Sequence, residues 1–366
     1  EWTYRFDLNH VGLEKGYSES KGFDGTILVP FSPESELSGV GYTDFITGIW
    51  YHRTLDVPAA WEGQRIFLNF GAVYYQSEVF VDGKFVGRHF GGSSSFSYDI
   101  TDFAAPGTTH DLVVYAQSDL RGMRQPAGKQ SLVLGSHDCE YTRTTGIWQT
   151  VWMEPVSENG LKNVQVNTDI DQKQLVVRPA FYKEGAASLK ITVTDPDSPK
   201  KPVAQKEVSA TNSSVAVIPF KTLKTWSPEN PFLYDVDYQV LDKNGKVIDE
   251  VKSYVGMRKV HIEGNKIFLN NVPYYQRLVL DQGYYPQSQW TAPSDEALKH
   301  DIELSKSAGF NGARLHQKVF EERFHYWADK LGYLTWAEFP SWGIELNGVE
   351  PARNFLSEWA ECVVRD

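Results

Sequence analysis

Cysteine is almost missing from this chain: Cys139 and Cys362 are the only two in 366 residues. They lie far apart in sequence and in what read as different domains, so no structural disulfide is expected between them. No cysteine spacing matches a metal site. Long apolar runs are lacking too, and nothing approaches the ~20 consecutive apolar residues of a membrane-spanning helix. No basic, apolar, small-residue leader is visible, and the first residue is Glu1 rather than Met, which is compatible with removal of an export signal. Localisation is left open between an exported and a cytoplasmic protein. Basic charge is in deficit: 36 Lys and Arg stand against 47 Asp and Glu, a formal net charge of -11. With no basic run to offset that balance, polyphosphate is repelled and nucleic acid is not an expected partner. No oxygen-ligand cluster at a recognisable spacing argues for a metal. No cofactor is expected, and self-association into a homo-oligomer is left open.

What the chain does have is aromatic side chains, at 14% of residues with 11 Trp and 19 Tyr. Flat apolar faces with polar edges match the C–H face and hydroxyl rim of a sugar. The bland alternative is that most of them fill strand-built cores, where aromatics are favoured anyway. Composition thus permits a carbohydrate partner without requiring one.

The length suggests two or three domains. Residues 48–117 read as strands and turns, with strands at 49–57, 65–70, 77–81, 84–88 and 111–116. In Glu78-Val79-Phe80-Val81-Asp82-Gly83-Lys84-Phe85-Val86-Gly87, alternation flanks an Asp-Gly pair that supplies the positive φ of a tight hairpin. A second strand group spans 161–260, with a hairpin over Asn244-Gly245, and suits an immunoglobulin-like sandwich. Residues 155–160 form the expected boundary.

From Pro273 the pattern changes to strand and helix in alternation. Residues 274–280, 310–315 and 333–339 read as strands, and 294–308, 319–331 and 351–364 as helices. Ser294 is placed to cap the first helix, with Asp295 and Glu296 in its positive first turn and Gly309 at its end. Phe320, Phe324, Trp327 and Leu331 make one apolar stripe before Gly332, and Phe355, Trp359 and Cys362 make another after Pro351. Three βα units imply parallel strands with helices outside. An open doubly wound sheet has the same appearance at this length. A closed eight-unit barrel needs ~250 residues, and residues 259–366 supply less than half of that.

Five segments in order then carry a resemblance. Gly48-Ile49-Trp50-Tyr51; Val81-Asp82-Gly83-Lys84 with Gly91-Gly92; Thr145-Gly146-Ile147-Trp148-Gln149-Thr150-Val151; Trp226-Ser227-Pro228-Glu229-Asn230-Pro231-Phe232-Leu233-Tyr234; and Val255-Gly256-Met257-Arg258-Lys259-Val260 with Phe268-Leu269-Asn270 together resemble glycoside hydrolase family 2, the group of β-galactosidases, β-glucuronidases and β-mannosidases. The resemblance covers about residues 47–366. It implies a mainly β multidomain chain: a jelly-roll sugar-binding sandwich at 1–156, an immunoglobulin-like β-sandwich at 157–258, and the first part of a (β/α)8 TIM barrel at 259–366.

It also implies a retaining mechanism with two glutamates, which must stand roughly 5 to 5.5 Å apart, the acid/base belonging to an Asn-Glu pair after the fourth barrel strand. No Asn-Glu pair follows Phe339, so the pair is expected beyond Asp366 and the 366 residues are expected to be inactive alone. The substrate-binding residues expected here stand at the strand ends facing the barrel mouth: Asp281, Arg314, His316, Glu338 and Trp342. The family's Arg-x-x-His-Tyr-Pro is replaced by Arg314-Leu315-His316-Gln317-Lys318, with histidine one residue early. Four of them have a structural alternative: an Arg314–Glu338 ion pair, a core role for His316 and a turn cap for Asp281 with Gln282-Gly283; the neighbouring Trp336 is read as barrel packing, and Trp342, in its loop, as a stacking platform. The function expected is the N-terminal part of an exo-β-glycosidase, β-galactosidase-like. A non-catalytic carbohydrate-binding protein, a β-glucuronidase, a β-mannosidase and an adhesin-like stack of sandwiches are the competing readings.

Overall fold

The computed structural model describes residues 1–365; Asp366, the end of the segment assigned to the barrel, lies outside the described residues. The first sandwich has a six-stranded antiparallel sheet ordered Gly25–Ile27, Trp2–Phe6, Gly48–Asp56, Thr109–Gln117, Gln76–Val81, Lys84–Phe90. A three-stranded sheet of Val151–Val156, Arg65–Phe70 and Phe96–Asp99 faces it. Alternation decides which residues meet between the sheets: Leu112, Val114 and Ala116 point inward to join Ile49, Tyr51, Ile66, Leu68, Phe70, Val79 and Val81. Their intervening neighbours Val113 and Tyr115 join Trp50 and Phe80 in a smaller cluster on the other face, where the Trp50 and Tyr115 rings stack at 4.2 Å. The Asp82-Gly83 hairpin forms as its residues require, with φ of 47° and 75°.

The second sandwich pairs Leu161–Asp169, Gln174–Phe181 and Ala216–Pro219 in one sheet, and Ala204–Ser209, Ser188–Thr194, Tyr234–Leu241 and Val247–Val255 in the other. Alternate residues of the central strands, Leu189, Ile191 and Val193 against Val236, Tyr238 and Val240, build its core. Each fully buried side chain of this size stabilises by roughly 1.5–3 kcal/mol.

A small antiparallel sheet, Val260–Glu263, Lys266–Leu269 and Val272–Pro273, leads into three parallel strands, Leu278–Asp281, Gly312–Leu315 and Leu334–Ala337. Helices α1 (Asp295–Ser307), α2 (Glu322–Leu331) and α3 (Val349–Arg365) alternate with them. Ser294 Oγ accepts from the Ala297 amide at 3.2 Å, and Gly332 ends α2 with φ 71°. The first parallel strand starts later than the sequence pattern suggests. Val272–Pro273 pairs back onto the preceding strand, and the Asn311 side chain ties down the backbones of Arg277 and Tyr275 at 2.8 and 2.9 Å. α2 likewise begins at Glu322 rather than 319, because residues 317–320 are turned inward and buried.

Side chains from the motif segments hold the units together. Trp226 Nε1 donates to the Asp329 carbonyl of α2 at 2.7 Å, while Asp329 carboxylate oxygens accept from Arg258 at 2.7 Å and Tyr254 at 3.1 Å. A side chain at Gly332 would meet the Pro228 carbonyl at 2.4 Å, so Gly is needed there for packing as well as for φ. On the other flank Trp148 and Trp290 meet edge to face at 5.2 Å, and Thr291 Oγ1 donates to the Trp148 carbonyl at 2.5 Å.

Candidate functional site

Parallel pairing sets Leu280, Arg314 and Trp336 in one row across the three strands. It brings the residues that close each strand to one end. Glu338, just past the third strand, is the hub. Its Oε2 accepts from Arg314 Nε at 3.1 Å and from the second guanidinium nitrogen at 3.0 Å, and its Oε1 accepts from the Gln317 amide at 2.8 Å. His316 Nε2 lies 3.6 Å from the same Oε1. The anticipated Arg314–Glu338 pair is therefore present, but Arg314 is half exposed at the mouth rather than sealed in a core.

His316 presents its ring edge-on to Trp342 at 5.7 Å, and its Nδ1 has no hydrogen-bond partner. Burial lowers the His316 pKa from its ordinary value, and Lys129 and Arg314 add to this against the pull of Glu338, so the imidazole is neutral around pH 7. Asp281 serves as a turn cap, Oδ1 accepting from the Gly283 amide at 2.9 Å, and burial raises its pKa. Among the described residues Trp336 is not packed into a core: it is 54% exposed, and Leu280, on the far side of Arg314 in the same row, is 48% exposed.

Three further residues are central to this site, and two of them, Gln317 and Lys129, did not emerge as candidates from the sequence. Gln317, with φ 57°, turns inward and its Oε1 accepts from the Ser341 and Trp342 amides at 2.9 and 3.1 Å. It thereby sets the loop that carries Trp342. Lys318 is buried, donating to the Gly283 and Trp290 carbonyls at 2.7 and 2.5 Å, and burial pulls its pKa down to about 8. Lys129 comes from the first sandwich, its Nζ 4.1 Å from the centre of the Trp342 ring. The Ala127 amide donates to the Trp342 carbonyl at 2.7 Å, so a sandwich loop completes the mouth. The only sequence signal was the displaced histidine, which marks a local change at Gln317.

Gln317→Ala should loosen the loop more than the fold. Losing two hydrogen bonds costs about 1–3 kcal/mol, and amide exchange at Ser341 and Trp342 should accelerate while the sandwich strands keep their protection. Uniform acceleration across the chain would contradict this role.

Comparison with known proteins agrees with the architecture. The model of the sugar binding domain of glycosyl hydrolases family 2 matches residues 41–154, and a second model of glycosyl hydrolases family 2 matches residues 156–258. A β-glucuronidase of Paenibacillus borealis is 23% identical over 93% of this chain and 58% of its own length. A β-galactosidase of Thermoanaerobacter pseudethanolicus is 25% identical over 87% of this chain and 42% of its own length. Among solved structures, a β-glucuronidase from Ruminococcus gnavus superposes with a TM-score of 0.85 at 23% identity, covering 100% of this chain and 63% of that one. The chain thus spans between about two fifths and just under two thirds of the length of these relatives. Two sandwiches followed by parallel βα units, one sandwich matching a sugar-binding module, define a chain of glycoside hydrolase type. It belongs to glycosyl hydrolases family 2.

Proposed function

We propose that this chain is the N-terminal part of a retaining exo-β-glycosidase that removes terminal β-linked sugars, and that the glutamates of the retaining pair lie beyond the 366 residues. The observation that carries this reading is the state of Glu338. It is the carboxylate at the mouth, and its oxygens are committed to Arg314 and the Gln317 amide. A retaining pair needs a second carboxyl group ~5–5.5 Å away, and the other carboxylate at these strand ends, Asp281, is held in its turn. In this reading Arg314, His316, Glu338 and Trp342 orient the sugar, and Asp281 supports the first strand end. The exposed row of Leu280 and Trp336, and a third strand paired on one side alone, support further barrel strands packing there, since exposed edges and apolar faces invite association.

The sugar is proposed as a β-galactoside. A β-glucuronide is the second reading, favoured by Lys129: among the described residues no ion pair neutralises it, and a uronate carboxylate would. The test is hydrolysis of nitrophenyl β-galactoside, β-glucuronide and β-mannoside by the 366-residue chain and by the longer gene product. Turnover confined to the longer protein is expected, and it names the sugar. Turnover by the 366 residues alone would overturn the proposal.

A further inference from the structure

α3 joins two units, and it does so by different chemistry on two flanks. Phe355 and Cys362 pack with Val319 and Phe339. Phe339, one residue past Glu338, meets Phe355 edge to face at 5.0 Å and stacks with Trp359 at 6.5 Å, so α3 backs the hub of the strand-end cluster. The adjoining flank carries Glu358, Glu361 and Arg365, whose spacing by three and four makes them neighbours on the helix. All three reach the segment 89–94 of the first sandwich. Glu358 Oε1 accepts from the Ser93 amide at 2.7 Å, Arg365 donates to the Ser93 carbonyl at 3.2 Å, and a Glu361 oxygen lies 3.6 Å from His89 Nε2.

This segment is shaped to the Glu358 carboxyl. Gly91 has φ 128°, and a side chain there would stand 2.8 Å from the carboxyl carbon, so glycine is what admits the close approach. Glu358 is 1% exposed, and its Oε2 has no hydrogen-bond partner among the described residues. The neutral acid is held there at small cost, whereas the anion would be stripped of water with one oxygen bare. The charged and titratable groups around it do not compensate. Glu361, which the His89 hydrogen bond keeps below the usual carboxylate range, is an anion three residues away, and like charges at that spacing repel. Arg365 is turned to the Ser93 and Phe320 carbonyls and lies 3.7 Å from Glu322. Tyr74 and Tyr75 of the first sandwich are raised by burial and stay neutral.

We infer that the contact between α3 and segment 89–94 is a pH-sensitive latch, closed while Glu358 holds its proton and opening when that proton leaves to solvent. Opening carries the carboxylate into water and withdraws the support that α3 gives Phe339 and, through it, Glu338. The latch therefore reaches the strand-end cluster from outside it, and it does not depend on which sugar is cleaved or on whether any is. Burial holds the closed carboxyl at about 8 against an ordinary 4.5. Each pH unit between those values should raise the ratio of open to closed roughly tenfold, and the ratio should level off above about 8.

The experiment follows amide hydrogen exchange of the longer gene product at pH 6, 7 and 8, with protection factors corrected for intrinsic exchange. Those at Ser93, Ser94 and along 355–365 should fall roughly tenfold per pH unit, with a smaller fall at 338–342. The strands Gly48–Asp56 and Thr109–Gln117 should stay better protected at every pH. Glu358→Gln keeps the acceptor for Ser93 and cannot ionise, so its factors should be level across the range. Glu361→Gln leaves the buried group in place and removes the neighbouring charge, so its factors should level off at a lower pH than in the wild type. Level factors in the wild type, an equal slope in Glu358→Gln, or core strands losing protection to the same extent as α3 would overturn the inference.

Discussion

Glu358→Gln should make the protein more stable at pH 8 and leave it little changed at pH 5. Glu358 sits on α3 at 1% exposure, with Oε1 accepting from the Ser93 amide at 2.7 Å and Oε2 without a partner. Gly91, with φ 128°, is the close neighbour: a side chain there would sit 2.8 Å from the carboxyl carbon. Burial pushes the carboxyl up to about 8 from 4.5, the nearby Glu361 charge reinforcing it and the Ser93 amide opposing it. The sign follows from proton counting. Below pH 4.5 both folded and unfolded chains hold the proton, and the group has no net effect. Between 4.5 and about 8 the unfolded chain releases it while the folded chain keeps it, so stability falls as pH rises, by up to about 1.4 kcal/mol per pH unit. Above about 8 the penalty is complete and amounts to a few kcal/mol. Glutamine cannot ionise and keeps the acceptor for Ser93. Urea unfolding of both proteins at pH 5, 6.5 and 8 should give curves that diverge with rising pH. Parallel curves would show that Glu358 does not titrate in this window. Glu34, raised by burial to about 7, has the same sign and contributes to the residual slope expected in the variant.

Glu358 also shows what could be read without the structure. It lies three residues after Phe355 and four before Cys362, on the apolar stripe of α3, and a carboxylate at such a position is a legible anomaly. The strand and helix pattern, the Ser294 cap, the Asp82-Gly83 hairpin and the strand-end residues were equally local, because each depends on spacing within about ten residues. What could not be read is the partner across the fold. Gln317 binds the Trp342 loop 25 residues on, and Lys129 reaches the same tryptophan from another domain. Neither pairing leaves a periodic trace. Trp336 was ambiguous for a related reason: an aromatic in a short strand reads as core, and only the sheet shows that nothing among the described residues covers it. The segment between Gln117 and Gly146 resisted reading most, since it has almost no regular structure and is ordered by single buried side chains.

Arg143 is the foremost of these, and Arg143→Ala should destabilise the protein by about 3–5 kcal/mol, since each buried acceptor left without its donor costs about 1–3 kcal/mol. At 1% exposure its guanidinium donates to the carbonyls of Ser131 at 3.1 Å, Val133 at 2.6 Å and Leu134 at 3.2 Å, and to that of Thr43, with Phe45 stacked 4.2 Å away. One side chain thus supplies the hydrogen bonds that a helix or sheet would otherwise give this loop. Burial works against the charge and lowers its pKa, while Glu34 and Asp44 nearby favour it. Removing the guanidinium leaves several carbonyls unmatched and takes a cation away from buried Glu34. Arg143→Lys should recover less than half of the loss, because a compact ammonium has three donors and no planar fork to span four carbonyls. The loss should appear in the urea midpoint, and cleavage by a protease should concentrate at exposed Val133 and Leu134. Because the same loop holds Ala127 against the Trp342 carbonyl, faster exchange should spread to Trp342 before it reaches the second sandwich. A change under about 1 kcal/mol, or full rescue by lysine, would mean that the loop is ordered by its apolar contacts and that the guanidinium only fills space.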